Sequence, residues 1–511
     1  MREGTVEELD VLVVGAGLSG IAAGHALLEH CPWADWAIFE ARGAIGGTWD
    51  LFRYPGVRSD SDMFTLGFTF HPWDRERAIA EGADIRAYLQ ETARRFGIDR
   101  RIRFHHRVLA AEWSTETARW QVQAERTDTG EPVELTCRFL LGCSGYYRYD
   151  QGYLPAFPGM AEYRGQLVHP QFWPEDLPVA GRRICVIGSG ATAMTLVPAL
   201  AERGAQVTMV QRSPTYVTSL PAVDPVAAAL RRRFPTRLSA PLVRWYKALT
   251  TQGFYRLSRR WPGLVRRMLL EQVRRQLPEG YDVARHFTPR YDPWDQRLCV
   301  VPNGDLFAAI RSGRVEVVTD EIETFTPEGL RLRSGRELEA DVVVTATGLE
   351  LLFLGGIELR VDGESVDPAT RLTYKGMMLE GVPNLAFCIG YVNASWTLKC
   401  ELTCEAVCRI LRTMREKGAT CVTPVHDGDP GPARPLLDLT SGYVQRALDR
   451  MPRQGSRFPW QVHQSFLKDY RAMKLSPVED GVLRFSAPDR ERAEAPLVGA
   501  SSASGGVRAA S

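Results

Sequence analysis

The stretch Val11-Leu12-Val13-Val14-Gly15-Ala16-Gly17-Leu18-Ser19-Gly20 decides the fold predicted for this chain of 511 residues. Four apolar residues lead into a glycine-rich turn, and residues 21–28 are compatible with a helix. The first glycine permits the turn, the second lets the backbone approach a pyrophosphate, and the third allows close packing of helix and strand. We therefore predict that Gly15, Gly17, Ser19 and Gly20 belong to a dinucleotide site.

The same design returns further along the chain. Ile184-Cys185-Val186-Ile187 leads into Gly188-Ser189-Gly190-Ala191-Thr192-Ala193, and residues 194–200 are again compatible with a helix. A single glycine motif is weak evidence, whereas two copies in the same strand and helix context favour an α/β fold with two Rossmann-like dinucleotide-binding domains. The predicted contacts of the second dinucleotide are Gly188, Ser189, Gly190, Ala191 and Thr192.

The residue type at the end of the second strand of each unit indicates which dinucleotide that unit binds. Glu40 follows residues 36–39, where a carboxylate accepts hydrogen bonds from an adenosine ribose, so the first site suits FAD or NAD. Arg212 and Ser213 follow residues 207–210, and a guanidinium with a hydroxyl suits the 2′-phosphate of NADP. The alternative for Glu40 or Arg212 is a solvated charge at a strand end.

The order of these motifs predicts a discontinuous first domain. Residues 1–150 and 345–490 are predicted to form the FAD domain, with the NADP domain, 151–344, inserted between them. The buried strand within 340–348 is interpreted as the return of the chain to the first domain. Residues 491–511, rich in Ala, Ser and Gly, are predicted to be a disordered tail.

A helical insertion rich in arginine is predicted within the NADP domain, at residues 215–285. Between residues 221 and 280 there are thirteen Lys or Arg against Asp224, Glu271 and Glu279. A solvated helical face explains such a charge run, and the alternatives are contact with an anionic membrane surface or with another subunit in a homo-oligomer. The sequence leaves these three interpretations open.

Composition restricts the function classes. The formal net charge is only +2, so we expect a small-molecule partner and no nucleic acid. The ten cysteines include no Cys-x-x-Cys pair, which disfavours a disulfide reductase and a zinc site. Cys400, Cys404 and Cys408 share one helical face and are interpreted as core, so no metal is predicted. Without a secretory signal or a long apolar run, a cytoplasmic protein is expected, with membrane contact only at its periphery.

The segment from Tyr163 to Pro174 resembles the signature of type I Baeyer–Villiger monooxygenases, Phe-x-Gly-x-x-x-His-x-x-x-Trp-Pro/Asp. Gly165, His169 and Trp173 match it, and Tyr163 stands in place of Phe. The resemblance implies that these four residues lie on the link between the two domains. His169 is expected to transmit the closure that accompanies NADP binding.

A second stretch, from Gly46-Gly47-Thr48-Trp49 through Arg53-Tyr54-Pro55-Gly56 to Asp60, resembles the other motif of that family. The resemblance implies flavin contacts at Gly47, Thr48 and Trp49 and an active-site carboxylate at Asp60; Val108 is added to the predicted cofactor contacts. The resemblance extends to about residue 485 and is closest to the ethionamide-activating branch of the family. Residues 46–62, 286–304 and 391–399 carry it.

The segment Asp292-Pro293-Trp294-Asp295-Gln296-Arg297 resembles a family segment that begins with Asn and ends with an arginine that stabilises the oxygenating flavin. The resemblance therefore implies that Arg297 is catalytic and that Asp60 orients it. Many members of the family carry Lys before this arginine as a contact to the NADP phosphate. Because Gln296 stands there, we expect weaker selectivity for NADPH over NADH.

The resemblance implies that NADPH reduces FAD, that O2 then gives a C4a-peroxyflavin, and that this species converts a ketone to an ester or lactone. Oxygenation of thioethers and thioamides is expected from the same oxidant. One alternative is a flavin monooxygenase that oxygenates sulfur or nitrogen without forming esters. Another is a flavoprotein that docks on a membrane or partner, with oxygenation incidental. The physiological substrate is not predicted by these motifs.

Overall fold

The computed structural model describes residues 6–487, so the predicted tail at 491–511 lies outside the described residues. The first part of the chain supplies most of one large sheet. Its strands are β1 (Glu7–Val14), β2 (Trp36–Glu40), β3 (Ile102–Phe104), β4 (His106–Ser114), β5 (Arg119–Arg126), β6 (Pro132–Gly142) and β7 (Tyr147–Gly152). Its helices are α1 (Leu18–His30), α2 (Thr48–Leu51), α3 (Met63–Leu66) and α4 (Gly82–Arg95).

The middle part of the chain forms a second sheet and a group of helices. Its strands are β8 (Gln166–Val168), β9 (Arg183–Ile187), β10 (Gln206–Gln211), β11 (Val217–Leu220), β12 (Cys299–Pro302), β13 (Val315–Thr319), β14 (Ile322–Thr326), β15 (Gly329–Leu332), β16 (Glu337–Glu339) and β17 (Val342–Thr345). Its helices are α5 (Ala191–Glu202), α6 (Pro225–Arg233), α7 (Thr236–Arg260), α8 (Pro262–Arg274), α9 (Val283–Phe287) and α10 (Asp305–Arg311).

The last part of the chain adds short strands and one long helix to the first sheet. Its strands are β18 (Leu349–Leu351), β19 (Glu358–Val361), β20 (Glu364–Ser365), β21 (Thr373–Tyr374), β22 (Met378–Leu379), β23 (Leu385–Phe387), β24 (Cys421–Pro424), β25 (Arg434–Pro435), β26 (Arg453–Gln454) and β27 (Leu483–Ser486). Its helices are α11 (Trp396–Lys417), α12 (Gly442–Gln445) and α13 (Phe466–Asp469), and a π-helical turn spans Tyr470–Leu475.

The first sheet has the strand order β20-β19-β4-β5-β6-β1-β2-β3, and β23 also pairs with β6. Strand β1 is parallel to both β2 and β6, which brings their carboxyl ends to one edge. Because side chains alternate along a strand, Val11 and Val13 pack on one face with α1 and α11, while Leu12 and Val14 enter a core on the other face. Residues from both ends of the chain therefore share one domain.

The second sheet is entirely parallel, with the order β13-β10-β9-β17-β8. Two parallel-stranded units, each with a glycine turn, confirm the predicted α/β fold class. Strand β17 pairs with β9 and β8, so the strand interpreted as the return to the first domain belongs to the second sheet. Its four consecutive buried residues, Val342–Thr345, suit an interior position, and the return follows it.

Two antiparallel strands, β7 and β18, connect the domains. The chain leaves the first domain along β7 and comes back along β18. The predicted boundaries, after residues 150 and 344, fall inside β7 and β17, because a change in glycine and apolar pattern does not mark where a strand ends.

The predicted helical insertion at 215–285 begins with a strand instead, since β11 pairs in parallel with β12. Val217 and Thr218 are β-branched, which suits a strand, and a partner distant in sequence completes it. Helices α6, α7 and α8 then cover residues 225–274. Within residues 6–487, no helix has both the length and the apolar composition that crossing a membrane requires.

Candidate dinucleotide and active site

A cavity of about 530 Å³ lies at the carboxyl ends of β1, β2 and β6. Its wall brings together predicted site residues from five separate stretches of sequence (15–19, 40–60, 108, 191–192 and 297), namely Gly15, Gly17, Ser19, Glu40, Gly47, Thr48, Trp49, Asp60, Val108, Ala191, Thr192 and Arg297. The other predicted residues lie outside this wall, namely Gly20, Tyr163, Gly165, His169, Trp173, Gly188, Ser189, Gly190, Arg212 and Ser213. The first group forms the candidate site described next.

The first glycine turn is shaped by its surroundings. Gly15 has a φ of +106°, and a Cβ there would lie 2.7 Å from the carbonyl oxygen of Cys143. A Cβ on Gly20 would lie 1.8 Å from the carbonyl oxygen of Gly15, so Gly20 lets α1 pack on the turn. A Cβ on Gly17 would meet only Gly47, at 3.5 Å, on the cavity wall. Gly17 is therefore the glycine at which a pyrophosphate can come close to the protein backbone.

Glu40 ends β2 at the rim of the same cavity. Its carboxylate accepts hydrogen bonds from the backbone N–H groups of Ala16, at 2.7 Å, and Arg42, at 2.9 Å. Burial raises the pKa of Glu40, and the two backbone donors oppose that rise. Two hydrogen bonds from backbone N–H groups leave further lone pairs on the carboxylate. Glu40 is therefore fixed in place and still able to accept hydrogen bonds from ribose hydroxyls.

Asp50, which the motif analysis missed, lies in α2 and holds this short helix in place. Its buried carboxylate accepts from Arg42 at 2.7 Å, Arg53 at 2.6 Å and Arg86 at 3.5 Å. The position of an acid directly after Gly-Gly-Thr-Trp was the sequence signal that could have identified Asp50. Its role was not predicted because its three arginine partners come from different segments of the chain. The carboxylate therefore fixes α2, which carries Thr48 and Trp49, at the cavity.

The loop before Asp60 packs against the second domain. A Cβ on Gly56 would lie 2.6 Å from the Cβ of Ala199 in α5, so only glycine permits this approach. Arg58 pairs with Asp305 at the start of α10, with 2.5 Å between Nη1 and Oδ2. Sequence reasoning did not single out Arg58 because its partner is 247 residues away. The motif thus joins the domains beside the cavity.

Arg297 also lines the cavity. Its Nη2 donates to the hydroxyl of Tyr146 at 2.9 Å. Its buried Nε has no hydrogen-bond partner within residues 6–487. Tyr146 and Tyr443, followed by Tyr147 and Asp60, raise the pKa of Arg297 well above its usual value, against the effect of burial. A charged donor with an unused N–H is suited to an anionic oxygen in the cavity.

Asp60 faces the same cavity but forms no ion pair with Arg297 in the described part of the chain. Burial raises the pKa of Asp60 to about 6, while attraction by Arg58 and then Arg297 lowers it. The prediction that Asp60 orients Arg297 is therefore not supported by a direct contact between the two side chains. The guanidinium instead donates a hydrogen bond to the hydroxyl of Tyr146. Asp60 and Arg297 therefore influence each other's pKa without a direct contact.

The loop that carries Arg297 is held by helix α7. Trp294 has a φ of +74°, and its ring meets that of Tyr255 edge to face with 5.6 Å between centroids. The carboxylate of Asp295 accepts from Arg259 at 2.6 Å. These contacts fix the position of Arg297 from the C-terminal half of α7.

The second glycine turn lies at the carboxyl edge of the second sheet. Gly188 has a φ of +131°, and a Cβ there would lie 2.3 Å from the carbonyl oxygen of Ala346. Gly190 precedes α5, with no atom of residues 6–487 within 4 Å of an added Cβ. The Ser189 hydroxyl donates to the carbonyl of Ser213 at 2.9 Å, which ties the turn to the loop after β10. Arg212 is exposed there and forms no ion pair with a described residue.

Tyr163 and Gly165 pack together at the entry to the second domain. A Cβ on Gly165 would lie 2.2 Å from the hydroxyl of Tyr163. That hydroxyl, absent from the Phe of the family signature, donates to the carbonyl of Ala340 at 2.9 Å. The replacement of Phe by Tyr therefore adds a satisfied hydrogen bond.

His169 contacts both connectors between the domains. Its Nδ1 accepts from the backbone N–H of Gln171 at 3.2 Å, so Nε2 carries the proton and donates to the carbonyl of Gly348 at 3.3 Å. Burial lowers the pKa of His169, which favours this neutral form. A Cβ on Gly152, the last residue of β7, would lie 2.1 Å from the ring. Trp173 is buried in the apolar cluster that includes Phe52, beside this junction.

The predicted core cysteines are buried, but they separate into two places. Cys400 and Cys404 lie with Cys388, and the three Sγ atoms are within 4.8 Å of one another. Cys408 lies one turn further on, where its carbonyl accepts from the thiol of Cys31 at 3.7 Å. All five thiols, including that of Cys31, pack in the core between the first sheet and α11.

The donor set of the cavity fits a bound flavin dinucleotide. Gly17 leaves room for a pyrophosphate at the N-terminus of α1, Glu40 suits the ribose, and the unused Nε of Arg297 suits an anionic oxygen. The family described as flavin-binding monooxygenase-like matches residues 9–356, which is more than half of the chain.

The chain belongs to the flavin-binding monooxygenase-like family.

A curated relative agrees with this family assignment. The FAD-containing monooxygenase EthA of Mycobacterium tuberculosis (strain ATCC 25618 / H37Rv) is 53% identical over 481 residues, which covers 94% of this chain and 98% of that protein. The resemblance stated from the motifs is therefore confirmed along nearly the whole sequence.

Two solved structures have a similar architecture. An oxidized steroid monooxygenase bound to NADP has a TM-score of 0.68 and 25% identity, covering 82% of this chain and 88% of that one. An OTEMO complex with FAD and NADP has a TM-score of 0.69 and 22% identity, covering 83% of this chain and 87% of that one. The latter likeness concerns the fold alone.

Proposed function

We propose that this monooxygenase uses NADPH and O2 to oxidise ketones to esters or lactones in a Baeyer–Villiger reaction, and also oxygenates sulfur in thioethers and thioamides. The observation that carries the proposal is the guanidinium of Arg297. It faces the cavity that the dinucleotide cradle forms, and its buried Nε has no partner among residues 6–487. Oxygen transfer to a ketone develops negative charge on oxygen, which such a donor stabilises.

The cofactors of the chain are FAD and NADP(H). FAD is assigned to the first glycine turn, with Gly17, Glu40, Thr48 and Trp49 around it. NADPH is assigned to the second turn, where the open Gly190 precedes α5 and the exposed Arg212 would bind the 2′-phosphate. When bound, FAD supplies the hydride acceptor and the site of O2 activation.

The side chains of the protein have separate roles in the proposed reaction. Arg297 remains charged at any pH that the protein meets, so it stabilises negative charge without a proton transfer. Tyr146 fixes the direction of that guanidinium through the 2.9 Å hydrogen bond. Asp60, when ionised, adds an attractive field that keeps Arg297 towards the cavity.

Product analysis tests the proposal. The purified protein is supplied with NADPH, O2 and a panel of aliphatic, cyclic and aryl ketones, a thioether and a thioamide. We expect ester or lactone from at least one ketone, measured by mass spectrometry rather than by NADPH loss. Sulfoxide formation with no ester from any ketone would show an oxygenase of sulfur alone and would contradict the proposed reaction.

Arg212→Ala is expected to raise the KM for NADPH by about tenfold or more and to leave the KM for NADH nearly unchanged. Only NADPH offers a 2′-phosphate to the guanidinium, and a charge-assisted bond is worth about 1.5 to 3 kcal/mol. Steady-state rates with the two coenzymes measure the difference. Equal changes in both KM values would remove Arg212 from the phosphate site.

Gln296→Lys is the complementary variant to Arg212→Ala. If the neutral Gln296 weakens selectivity, an added ammonium should increase the preference for NADPH over NADH. The same two KM values report it. An unchanged ratio would mean that residue 296 is out of reach of the phosphate.

Asp60 is expected to give the activity an acidic limb with a midpoint near pH 6. Because the pKa of Asp60 is raised to about 6, the carboxylate loses its charge, and its hold on Arg297, as the pH falls through that value. In Asp60→Asn the maximal kcat should be lower and this limb should be absent. A pH profile of kcat for the two proteins measures the effect.

A control separates this role of Asp60 from a structural one. A carboxyl whose pKa is raised on folding lowers the stability of the folded state as the pH rises from about 4 through about 6, and this loss is then constant at higher pH. Asp60→Asn should therefore melt at the same temperature as the unchanged protein, or higher, at pH 8. A lower melting temperature, or an acidic limb that persists in the variant, would contradict the assignment.

A further inference from the structure

Helices α6, α7 and α8 expose large apolar side chains to solvent. On α7, Leu238, Leu242 and Leu249 are each about half exposed, and Trp261, Leu264 and Met268 are half exposed at the start of α8. The spacings of four and eleven residues place the three leucines on one outward face, opposite the buried Val243. Isolated exposed apolar residues are common, whereas a concentration on one helical unit indicates an interaction surface.

Unpaired arginines flank these apolar side chains. Arg232, Arg233 and Arg237 surround the junction of α6 and α7, and Arg260 and Arg267 flank Trp261. None of the five forms an ion pair with any residue between 6 and 487. The acids of the unit are already engaged, since Asp224 pairs with Lys247 and Glu271 with Arg274 and Arg275. The surface is therefore both apolar and strongly positive.

The positive charge of this surface indicates which of three partners it contacts: a second copy of the chain, solvent or an anionic bilayer. A twofold dimer would bring the same patch of each copy together and would oppose arginine to arginine without acids between them. A solvated face does not explain the half-exposed leucines and tryptophan. An anionic bilayer surface matches both features, since its phosphates pair with guanidinium groups and its acyl region accepts apolar side chains.

We propose that α6, α7 and α8 dock this protein on the surface of an anionic lipid bilayer. Leu238, Leu242, Trp261, Leu264 and Met268 enter the region below the headgroups, and the flanking arginines bind lipid phosphates. The helices lie on the bilayer rather than across it. The inference does not depend on the reaction that is catalysed.

The docking helix also reaches the active site. Ala248, on the inner face of α7, packs against Tyr391, which lines the cavity. The contacts of Tyr255 with Trp294 and of Arg259 with Asp295 support the loop of Arg297. The helix that carries the docking surface therefore also contacts the cavity wall and the loop of Arg297.

Flotation of the full-length, FAD-loaded protein with vesicles tests the proposal. We expect the bound fraction to be about tenfold higher on vesicles of phosphatidylcholine mixed with phosphatidylglycerol than on pure phosphatidylcholine, and to fall at high salt because the phosphate contacts are screened. Equal binding to the two kinds of vesicle, or no binding to either, would overturn the proposal.

Two variants and two matched controls locate the surface. Arg232→Gln with Arg233→Gln and Arg237→Gln, and separately Leu238→Gln with Leu242→Gln, should each reduce binding to the anionic vesicles at least fivefold. The controls remove the same number of arginines or leucines elsewhere, by Arg94→Gln with Arg95→Gln and Arg100→Gln, and by Leu28→Gln with Leu475→Gln, and should bind normally. Unchanged flavin content and melting temperature establish that each variant is folded.

Two further outcomes would contradict the proposal. Controls that lose as much binding as the test variants would show a nonspecific charge effect. Light scattering that finds a dimer in the unchanged protein and a monomer in Leu238→Gln with Leu242→Gln would assign the surface to a second copy of the chain.

Discussion

Arg297→Ala is expected to lower the kcat for ester formation by about two to three orders of magnitude, because it removes a charged donor aimed at the negative charge of oxygen transfer. Oxidation of NADPH should continue, since Arg297 lies outside the second glycine turn, and its reducing equivalents should appear as hydrogen peroxide. Stopped-flow absorbance, peroxide assay and product analysis measure the three steps separately. Normal ester yield from this variant would overturn the proposed mechanism.

Two further substitutions serve as controls for Arg297→Ala. Arg297→Lys should recover little activity, because a compact ammonium cannot donate to Tyr146 and to a cavity oxygen with the geometry of the planar guanidinium. Arg290→Ala removes an exposed arginine from the same segment and should leave ester yield unchanged. Recovery of ester formation in Arg297→Lys would mean that a positive charge is sufficient at this position. That result would contradict the orienting role of Tyr146.

Gly20→Ala is expected to abolish flavin binding and to destabilise the fold, because its Cβ would lie 1.8 Å from the carbonyl oxygen of Gly15. Relief of that clash must move α1 away from the turn, and overpacking costs typically about 1 to 3 kcal/mol, occasionally more. Flavin absorbance per chain and thermal unfolding measure the two effects. Full flavin occupancy with an unchanged melting temperature would contradict the close packing described here.

Gly17→Val separates ligand approach from packing. A Cβ at Gly17 meets protein only at 3.5 Å, so the fold should persist, while the branched side chain stands where the pyrophosphate approaches the backbone. We expect a folded apoprotein, with a melting temperature near that of the unchanged protein stripped of FAD. Retention of FAD by this variant would remove the assignment of the first turn to flavin.

The comparison of Gly17 with Gly20 shows how far motif reasoning extends. The sequence predicted that all three glycines of the turn belong to one site, and it assigned them the roles of turn, ligand approach and packing. Only the tertiary structure distinguishes Gly20, where a Cβ would meet a carbonyl oxygen at 1.8 Å, from Gly17, where a Cβ has room. Spacing along a chain specifies a local backbone path, whereas the clearance at each position depends on neighbours such as Cys143 and Gly47.

The sequence by itself determined the local features of this protein. Strand, glycine turn and helix are specified by residues within about twenty positions, so both dinucleotide units and the acidic or basic residue that ends each second strand could be predicted. The family motifs, carried by Gly47, Asp60, His169 and Arg297, could be recognised for the same reason. The fold class followed from the repetition of one local unit.

Tertiary structure alone decided what those residues contact. Tyr146 rather than Asp60 holds Arg297, Asp50 gathers three arginines, and Arg58 crosses to Asp305, because each pair is brought together by packing between distant segments. The strand at Val342–Thr345 joined the second sheet because its buried residues pair with β8 and β9, a choice that apolar pattern does not encode. Contacts between distant segments depend on how the sheets and helices assemble, which no local pattern specifies.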